Sequence, residues 1–177
     1  LNVDVKKINC TPNGIFTHNP EPLKENLTEL CDVVKKNKSN FGIAVDPDVD
    51  RLVFVDERGE MFGEEYTLVA CSDYVLSKSP GSIVSNLSSS RALPDLAKQY
   101  GVNHFSSAVG EFHVVEKMKA VKAVIGGEGN GGVIYPKLHY GRDALVGIAL
   151  FLSLLAEKKL SISALKNKYT NPNSAIE

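Results

Sequence analysis

Cysteine is scarce in this chain: three among 177 residues, Cys10, Cys31 and Cys71, far apart and odd in number. No Cys-x-x-Cys occurs, and no cysteine stands near a histidine at metal-ligand spacing. A reducing cytosol is the expected compartment. Excess charge is missing as well. The formal net charge is −1 and there is no Lys/Arg block, so the chain lacks the footprint for nucleic acid or an anionic membrane surface. Long apolar runs are absent. The most apolar stretch, Ala144–Ala156, is too short to span a bilayer, is interrupted by Ser153 and reads as a buried helix. No signal-peptide pattern, internal repeat or low-complexity segment is found. We therefore expect a cytoplasmic protein that contacts neither nucleic acid nor membrane. What is present, 43% hydrophobic and 23% charged residues, suffices for one ample core or two small domains.

The most informative stretch is Asp46-Pro47-Asp48-Val49-Asp50-Arg51, directly after the strand-like run Phe41–Val45. Three unpaired carboxylates this close repel one another and are tolerable where a divalent cation neutralises them. Oxygen-only ligands favour Mg²⁺, with Ca²⁺ or Mn²⁺ next. An EF-hand register starting at Asp46 places carboxylates at positions 1, 3 and 5 and Glu57 at position 12. It fails at position 6, where the turn needs glycine and Arg51 stands, and its flanks read as strands rather than helices. An aspartate-nucleophile phosphotransferase loop also begins Asp-x-Asp after a strand, with Asp46 as nucleophile, but the fifth position there is usually a hydroxyl or a small apolar residue. A polar turn leaves unexplained why all three polar residues are acidic.

Along the chain, Val3–Asn9 alternates like a strand, Thr11–Pro22 is a loop, and Leu23–Lys36 has helical spacing. A hairpin carries the acidic loop, with Glu57–Glu60 as its turn. From Glu64 the pattern alternates: helix Glu64–Ser77, strand Ser82–Leu87, helix Arg91–Tyr100, strand Asn103–Ser106, helix Glu111–Lys119, strand Ala123–Ile125. A glycine-rich loop, helix Asp143–Lys159 and short helix Ser161–Tyr169 follow. The fold class is α/β: a layered domain with a mixed sheet flanked by helices, preceded by a partial α/β domain. The boundary is placed between residues 60 and 61. The chain opens without Met and closes on Asn171-Pro172-Asn173-Ser174, a linker composition, so a piece of a longer protein is expected.

Gly127–Gly132 fits Gly-x-Gly-x-x-Gly, but a dinucleotide site needs a helix starting there. Here Val133-Ile134-Tyr135-Pro136 is extended, and Glu128 would repel phosphate. Glu128 and Asn130 suit sugar hydroxyls better, with glycines such as Gly129 letting a ligand approach the backbone. A flexible turn is the plainer reading. Thr17-His18-Asn19-Pro20 reads as a proline-fixed loop rather than a nucleophile pair. His113 lies one turn from Lys117 and near Glu111. Ser88-Ser89-Ser90 reads as a cap cluster, at a strand end where α/β sheets bind ligands. Asp143 suits the N-terminus of its helix. His104 and His139 fit no pattern.

These motifs, in this order, resemble the α-D-phosphohexomutases, the phosphoglucomutase/phosphomannomutase superfamily that includes phosphoglucosamine mutases. Gly14–Leu27 is similar to the segment before the metal loop of that family's second domain, and Asp46–Arg51 to the metal loop itself. Asn86–Ala92, Val109–Met118 and Gly127–Gly132 resemble segments of the third domain. The resemblance covers essentially the whole chain: 1–60 as the C-terminal part of domain two, 61–177 as domain three. The phosphoserine loop of domain one and the phosphate loop of domain four have no counterpart. Thr17–Pro20 echoes the phosphoserine loop but stands too close before the metal loop.

The resemblance implies a hexose 1-phosphate to 6-phosphate interconversion through a phosphoserine and a bisphosphorylated sugar. Asp46, Asp48 and Asp50 would hold Mg²⁺, with Arg51 supporting. Glu128, Gly129, Asn130, His113 and Ser88 would meet glucose, mannose or glucosamine phosphate. Asn130 stands where the family usually has serine. Ser88 and Glu111 replace lysine and histidine of some members. No catalytic phosphoserine is expected in this chain, so it would be inactive alone. The alternatives are the aspartate-nucleophile enzyme and a non-catalytic Ca²⁺-binding module with Glu57 as a ligand. An unfinished sheet edge would favour self-association.

Overall fold

In the computed structural model, residues 3–170 are described; the linker composition at 171–174 lies outside them. The strand expected over Val3–Asn9 is not formed. Val3 and Val5 are exposed and the segment pairs with no strand. Alternation makes a strand only where a neighbour takes up its backbone groups. Two side-chain bonds tie it down instead, Lys6 Nζ to Asn37 Oδ1 at 2.8 Å and Asn9 Nδ2 to Glu29 Oε2 at 2.9 Å. The single helix expected over Leu23–Lys36 is divided. A 3₁₀ turn, Lys24–Asn26, precedes α1, Thr28–Asn37, because Leu27 (φ −110°, ψ 18°) leaves the helical region to bury its side chain.

Strands β1 (Gly42–Val45) and β2 (Leu52–Val55) form an antiparallel hairpin, Gly42 opposite Val55 and Val45 opposite Leu52. Buried Asp56 shapes the turn after β2. Its Oδ1 accepts the amides of Arg58 and Glu60, both at 2.9 Å. Every residue of β2 is fully buried, because α1 lies on one side and α2 (Glu64–Lys78) and α5 (Ala144–Lys158) on the other. Phe54 stacks on Phe151 of α5 at 3.7 Å between centroids, and Phe62 meets the same ring edge-on at 5.1 Å. Residues before and after the expected boundary at 60 therefore share one core.

The second sheet has the order β4-β3-β5-β6. Strands β3 (Ile83–Asn86), β4 (His104–Ser107) and β5 (Ile125–Gly127) run parallel; β6 (Val133–Ile134) returns antiparallel to β5. Helix α4 (Glu111–Val121) covers one face through Val114 and Met118 against Val84 and Ile134. The other face carries α2, α3 (Ala92–Gln99) and α5. Helix α2 is buried all round, as its run of buried residues from Thr67 to Asp73 shows. Helix α5 buries Ala144, Gly147, Leu150, Phe151 and Leu154, one face at helical spacing. A final helix, α6 (Ile162–Thr170), is held through buried Asp73, which accepts Tyr100 Oη at 2.5 Å and Tyr169 Oη at 2.9 Å. The result is the expected mixed sheet between helical layers. The loops after β3, β4 and β5 leave from the carboxyl ends of the parallel strands, where such sheets bind ligands. None of the helices in the described residues is long and apolar enough to cross a membrane, and all three cysteines are free.

Candidate functional site

The loop between β1 and β2 is folded by its own first carboxylate. Asp46 Oδ1 accepts the backbone amides of Asp50 and Arg51, both at 3.0 Å. Val49, at φ +59°, occupies the left-handed region that β-branched residues rarely enter. Its amide reaches back to the Asp46 carbonyl at 3.1 Å, and its own carbonyl accepts the amide of Ala144 at the start of α5, at 3.0 Å. This turn brings one oxygen from each of Asp46, Asp48 and Asp50 within 4.8 Å of the others. Asp46 is buried, Asp48 exposed and Asp50 half-buried.

Burial raises the Asp46 carboxyl, but hydrogen bonds from the backbone and side chain of Arg51, and from Asp50, outweigh it and hold the group at about 2. Asp50 moves the other way. Burial, then its hydrogen bond to Asp46 and the repulsion of Asp46 and Asp48, lift it to about 6 against the pull of Arg142. Of the two neighbouring carboxyls, Asp50 is thus the one pushed toward its protonated form. Asp50 Oδ1 is buried without a hydrogen-bond partner, which a buried polar atom seldom tolerates. Three converging carboxylates, one of which also carries a buried oxygen without a hydrogen-bond partner, fit a hard divalent cation such as Mg²⁺.

Arg51 donates from Nε to Asp46 Oδ2 at 2.5 Å, and from Nη1 and Nη2 to the two oxygens of Glu21 at 2.6 and 3.3 Å. It therefore braces the loop through two carboxylates. Thr17–Pro20 is an exposed loop with local bonds, His18 Nδ1 to the Asn19 carbonyl at 2.7 Å and Asn19 Oδ1 to the Glu21 amide at 3.2 Å. Glu57 stands apart from the aspartates, bonded to Ser163 on α6, so the Ca²⁺-loop reading loses its twelfth-position ligand.

Glu128 follows β5 and is 4% exposed. Its Oε1 accepts Asn86 Nδ2 at 2.9 Å and the Gly110 amide at 3.0 Å; its Oε2 accepts Arg142 Nη1 at 2.9 Å. Gly131, at φ +90°, lies against the Leu52 carbonyl so closely that any Cβ would collide with it. Gly129 packs on the Ser88 backbone; a Cβ there would lie 2.8 Å from the Ser88 carbonyl oxygen. Ser88 is thus brought to the loop, and its side chain is exposed. Asn130 is also exposed, with Oδ1 accepting the Gly132 amide at 3.2 Å. His113 is exposed in the first turn of α4, edge-on to Phe112 at 5.6 Å between centroids and beside Gly110. Of the serine cluster, Ser90 Oγ accepts the Ala92 amide at 3.2 Å, and Ser89 Oγ donates to Asn86 Oδ1 at 2.7 Å.

Four residues central to this geometry escaped the sequence reading: Glu21, Asn86, Gly110 and the guanidinium of Arg142. In the sequence Arg142 stands out only by its place directly before the helix that Asp143 opens. Glu111 was noted as a departure from a motif; it accepts Arg142 N at 3.1 Å and Nε at 3.3 Å. No local spacing announces these partners, because each is distant in sequence.

Comparison with known proteins identifies the family. The profile described as "Phosphoglucomutase/phosphomannomutase, alpha/beta/alpha domain III" matches residues 63–172, and that for domain II matches residues 1–59. A phosphoglucomutase/phosphomannomutase of Thermococcus kodakarensis is 35% identical over 167 residues, 93% of this chain and 37% of that protein. A phosphoglucosamine/phosphogalactosamine mutase of Sulfurisphaera tokodaii is 31% identical over 169 residues, with the same coverage of each. The chain thus spans 37% of the length of these two relatives. The crystal structure of a phosphoglucomutase/phosphomannomutase family protein from Burkholderia thailandensis superposes with a TM-score of 0.78 at 30% identity, covering 86% of this chain and 34% of that one. Backbone and sequence lead to the same place: the chain belongs to the phosphoglucomutase/phosphomannomutase family, matching its second and third α/β/α domains.

Proposed function

We propose that the whole protein is a phosphohexomutase and that this chain contributes its metal loop and its sugar loop. The single observation that carries the reading is the convergence of one carboxylate oxygen from each of Asp46, Asp48 and Asp50 within 4.8 Å, beside which Asp50 Oδ1 is buried without a hydrogen-bond partner. In this proposal residues 1–60 belong to domain two and 61–177 to domain three, although β2 packs into the same core as α2 and α5. The three aspartates hold Mg²⁺, which when bound stabilises charge developing on a transferring phosphoryl group. Arg51, braced between Asp46 and Glu21, keeps that loop closed. Glu128, Asn130 and the backbone at Gly129 offer acceptors and donors to ring hydroxyls, with His113 and Ser88 at the rim.

The names of the relatives point to glucose, mannose or amino-sugar phosphates as the substrate class. Phosphoryl transfer between the two ends of the sugar runs through a phosphoserine and a bisphosphorylated sugar. That serine is supplied from outside these residues, so this chain alone is inactive. The outer edge of β1 pairs with no strand among the described residues, and we retain self-association through it as part of the proposal.

The deciding assay uses the full-length protein with Mg²⁺, a trace of hexose 1,6-bisphosphate and a hexose 1-phosphate. Formation of the 6-phosphate, lost in Asp48→Asn and impaired sugar-selectively in Glu128→Ala, is the expected result. Phosphate release with a labelled Asp46 would sink the proposal in favour of an aspartate nucleophile.

A further inference from the structure

The guanidinium of Arg142 touches carboxylates from three separate segments. Nη2 pairs with Asp50 Oδ2 in the metal loop, Nε lies 3.3 Å from Glu111 Oε2 at the start of α4, and Nη1 lies 2.9 Å from Glu128 Oε2 after β5. Among the described residues it is the only ion-pair partner common to Asp50 and Glu128. The side chains of Asp50, Arg142 and Glu128 are 16%, 18% and 5% exposed, so water screens these contacts little.

The two oxygens of Glu128 are held differently. Oε1 is fixed by two neutral donors, Asn86 Nδ2 and the Gly110 amide. Oε2 has Arg142 as its hydrogen-bond partner. Whatever alters the hold of Arg142 therefore alters how much of Oε2 is offered to a ligand. Asp50, in turn, has Oδ2 committed to Arg142, while Oδ1 has no hydrogen-bond partner and lies 3.7 Å from Arg51 Nε. A cation taken up by Asp50 must share that carboxylate's charge with the guanidinium. The guanidinium then loses counter-charge on one side and leans on Glu111 and Glu128.

We infer that Arg142 is a positioning residue that couples the two loops, so that occupancy of the Asp46/Asp48/Asp50 site by a divalent cation sets the hydrogen-bonding state of Glu128 toward a sugar hydroxyl. This rests on the reading of the two loops proposed above. The coupling is reciprocal: a sugar engaging Glu128 changes cation affinity by the same factor. Arginine is needed because three differently directed N–H groups serve three acceptors. A lysine, with one point charge, satisfies at most part of the set.

The test is a Mg²⁺ titration of the ¹⁵N-labelled chain followed by NMR. The reporters are the Gly110 amide and the Asn86 side-chain amide, which touch Glu128 Oε1, and the Asp48 and Asp50 amides in the metal loop. In the native chain both sets shift with the same half-saturation concentration. In Arg142→Lys the loop amides still shift while the Gly110 and Asn86 signals stay in place. Equal movement of those two signals in Arg142→Lys, or no movement in the native chain, overturns the inference.

A metal-free arm separates this from failure of the metal reading. Asp50→Asn, which faces Arg142 with a neutral amide, moves the Gly110 and Asn86 signals in the native background and not in Arg142→Lys. Silence of the loop amides at saturating Mg²⁺ removes both the metal reading and the cation-driven coupling. Silence of Gly110 and Asn86 alone, in both arms, removes only the coupling. Where Arg142→Lys does not fold, the native chain and Asp50→Asn alone decide.

Discussion

Asn86 and Glu128 meet across the carboxyl ends of β3 and β5: Asn86 Nδ2 donates to Glu128 Oε1 at 2.9 Å, with each residue only 4% exposed. Neither side chain can turn to water without opening the loop. Asn86→Asp sets a second carboxylate against Glu128, and Asn86→Ala leaves one acceptor position empty. We expect a loss of about 1–3 kcal/mol for Asn86→Ala and a larger loss for Asn86→Asp. Urea denaturation of the two variants beside the native chain checks the order; equal stability of Asn86→Asp and the native chain would count against the pairing.

The metal-loop aspartates should separate into two kinds. Asp48 is exposed, so Asp48→Asn abolishes Mg²⁺ binding and changes stability by no more than about 0.5 kcal/mol. Asp46 is buried and takes two backbone amides and Nε of Arg51. Asp46→Asn therefore costs about 1–3 kcal/mol in addition to the metal. Isothermal titration with Mg²⁺ and a chemical melt on the same samples distinguish the two; matching melts for Asp46→Asn and Asp48→Asn would contradict the folding role of Asp46.

Acid should weaken the proposed metal site early. The folded Asp50 carboxyl lies at about 6, above the roughly 3.9 of an unfolded aspartate. Its contribution to the metal-free fold is thus fully present below about pH 4 and is lost as pH rises through 6. Asp46, at about 2, contributes in the opposite sense, present above about pH 4 and lost as pH falls toward 2. A divalent cation needs both groups ionised, so binding expels a proton wherever Asp50 still holds one. Calorimetry near pH 5.5 in two buffers of different ionisation heat should show about three-quarters of a proton released per Mg²⁺, falling toward none near pH 7.5. No buffer dependence near pH 5.5 would contradict this.

The core beneath the site rests on Phe151, stacked on Phe54 and edge-on to Phe62. Phe151→Ala should cost about 3–5 kcal/mol, the range for emptying a buried aromatic site. Because β2 is held against this ring, the damage extends to the metal loop. The urea midpoint gives the first, and a weakened Mg²⁺ titration at partial unfolding the second.

Much of this arrangement was legible in the sequence because its signals are local. The alternation of helices and strands after Glu64 follows from hydrophobic period, and the acidic loop announces itself by three acids after an apolar run. Val3–Asn9 misled because its alternation is real while its partner strand is absent from the described residues. Leu23–Lys36 misled because apolar spacing continues through Leu27, where the backbone turns aside. Asn86, Gly110 and Arg142 were illegible as a set. They become neighbours only when parallel strands align their carboxyl ends, and no spacing along the chain encodes that. Glu21 is the same case, reaching Arg51 across a folded loop.

The close seating of Gly131 on the Leu52 carbonyl has a mechanical consequence. The glycine belongs to the loop after β5 and the carbonyl to the strand that leaves the acidic turn. With no room between them, the acidic loop and the Glu128 loop travel as one stiff palm. On the function proposed above, opening and closing around a sugar phosphate would leave that palm in shape and move what lies over it.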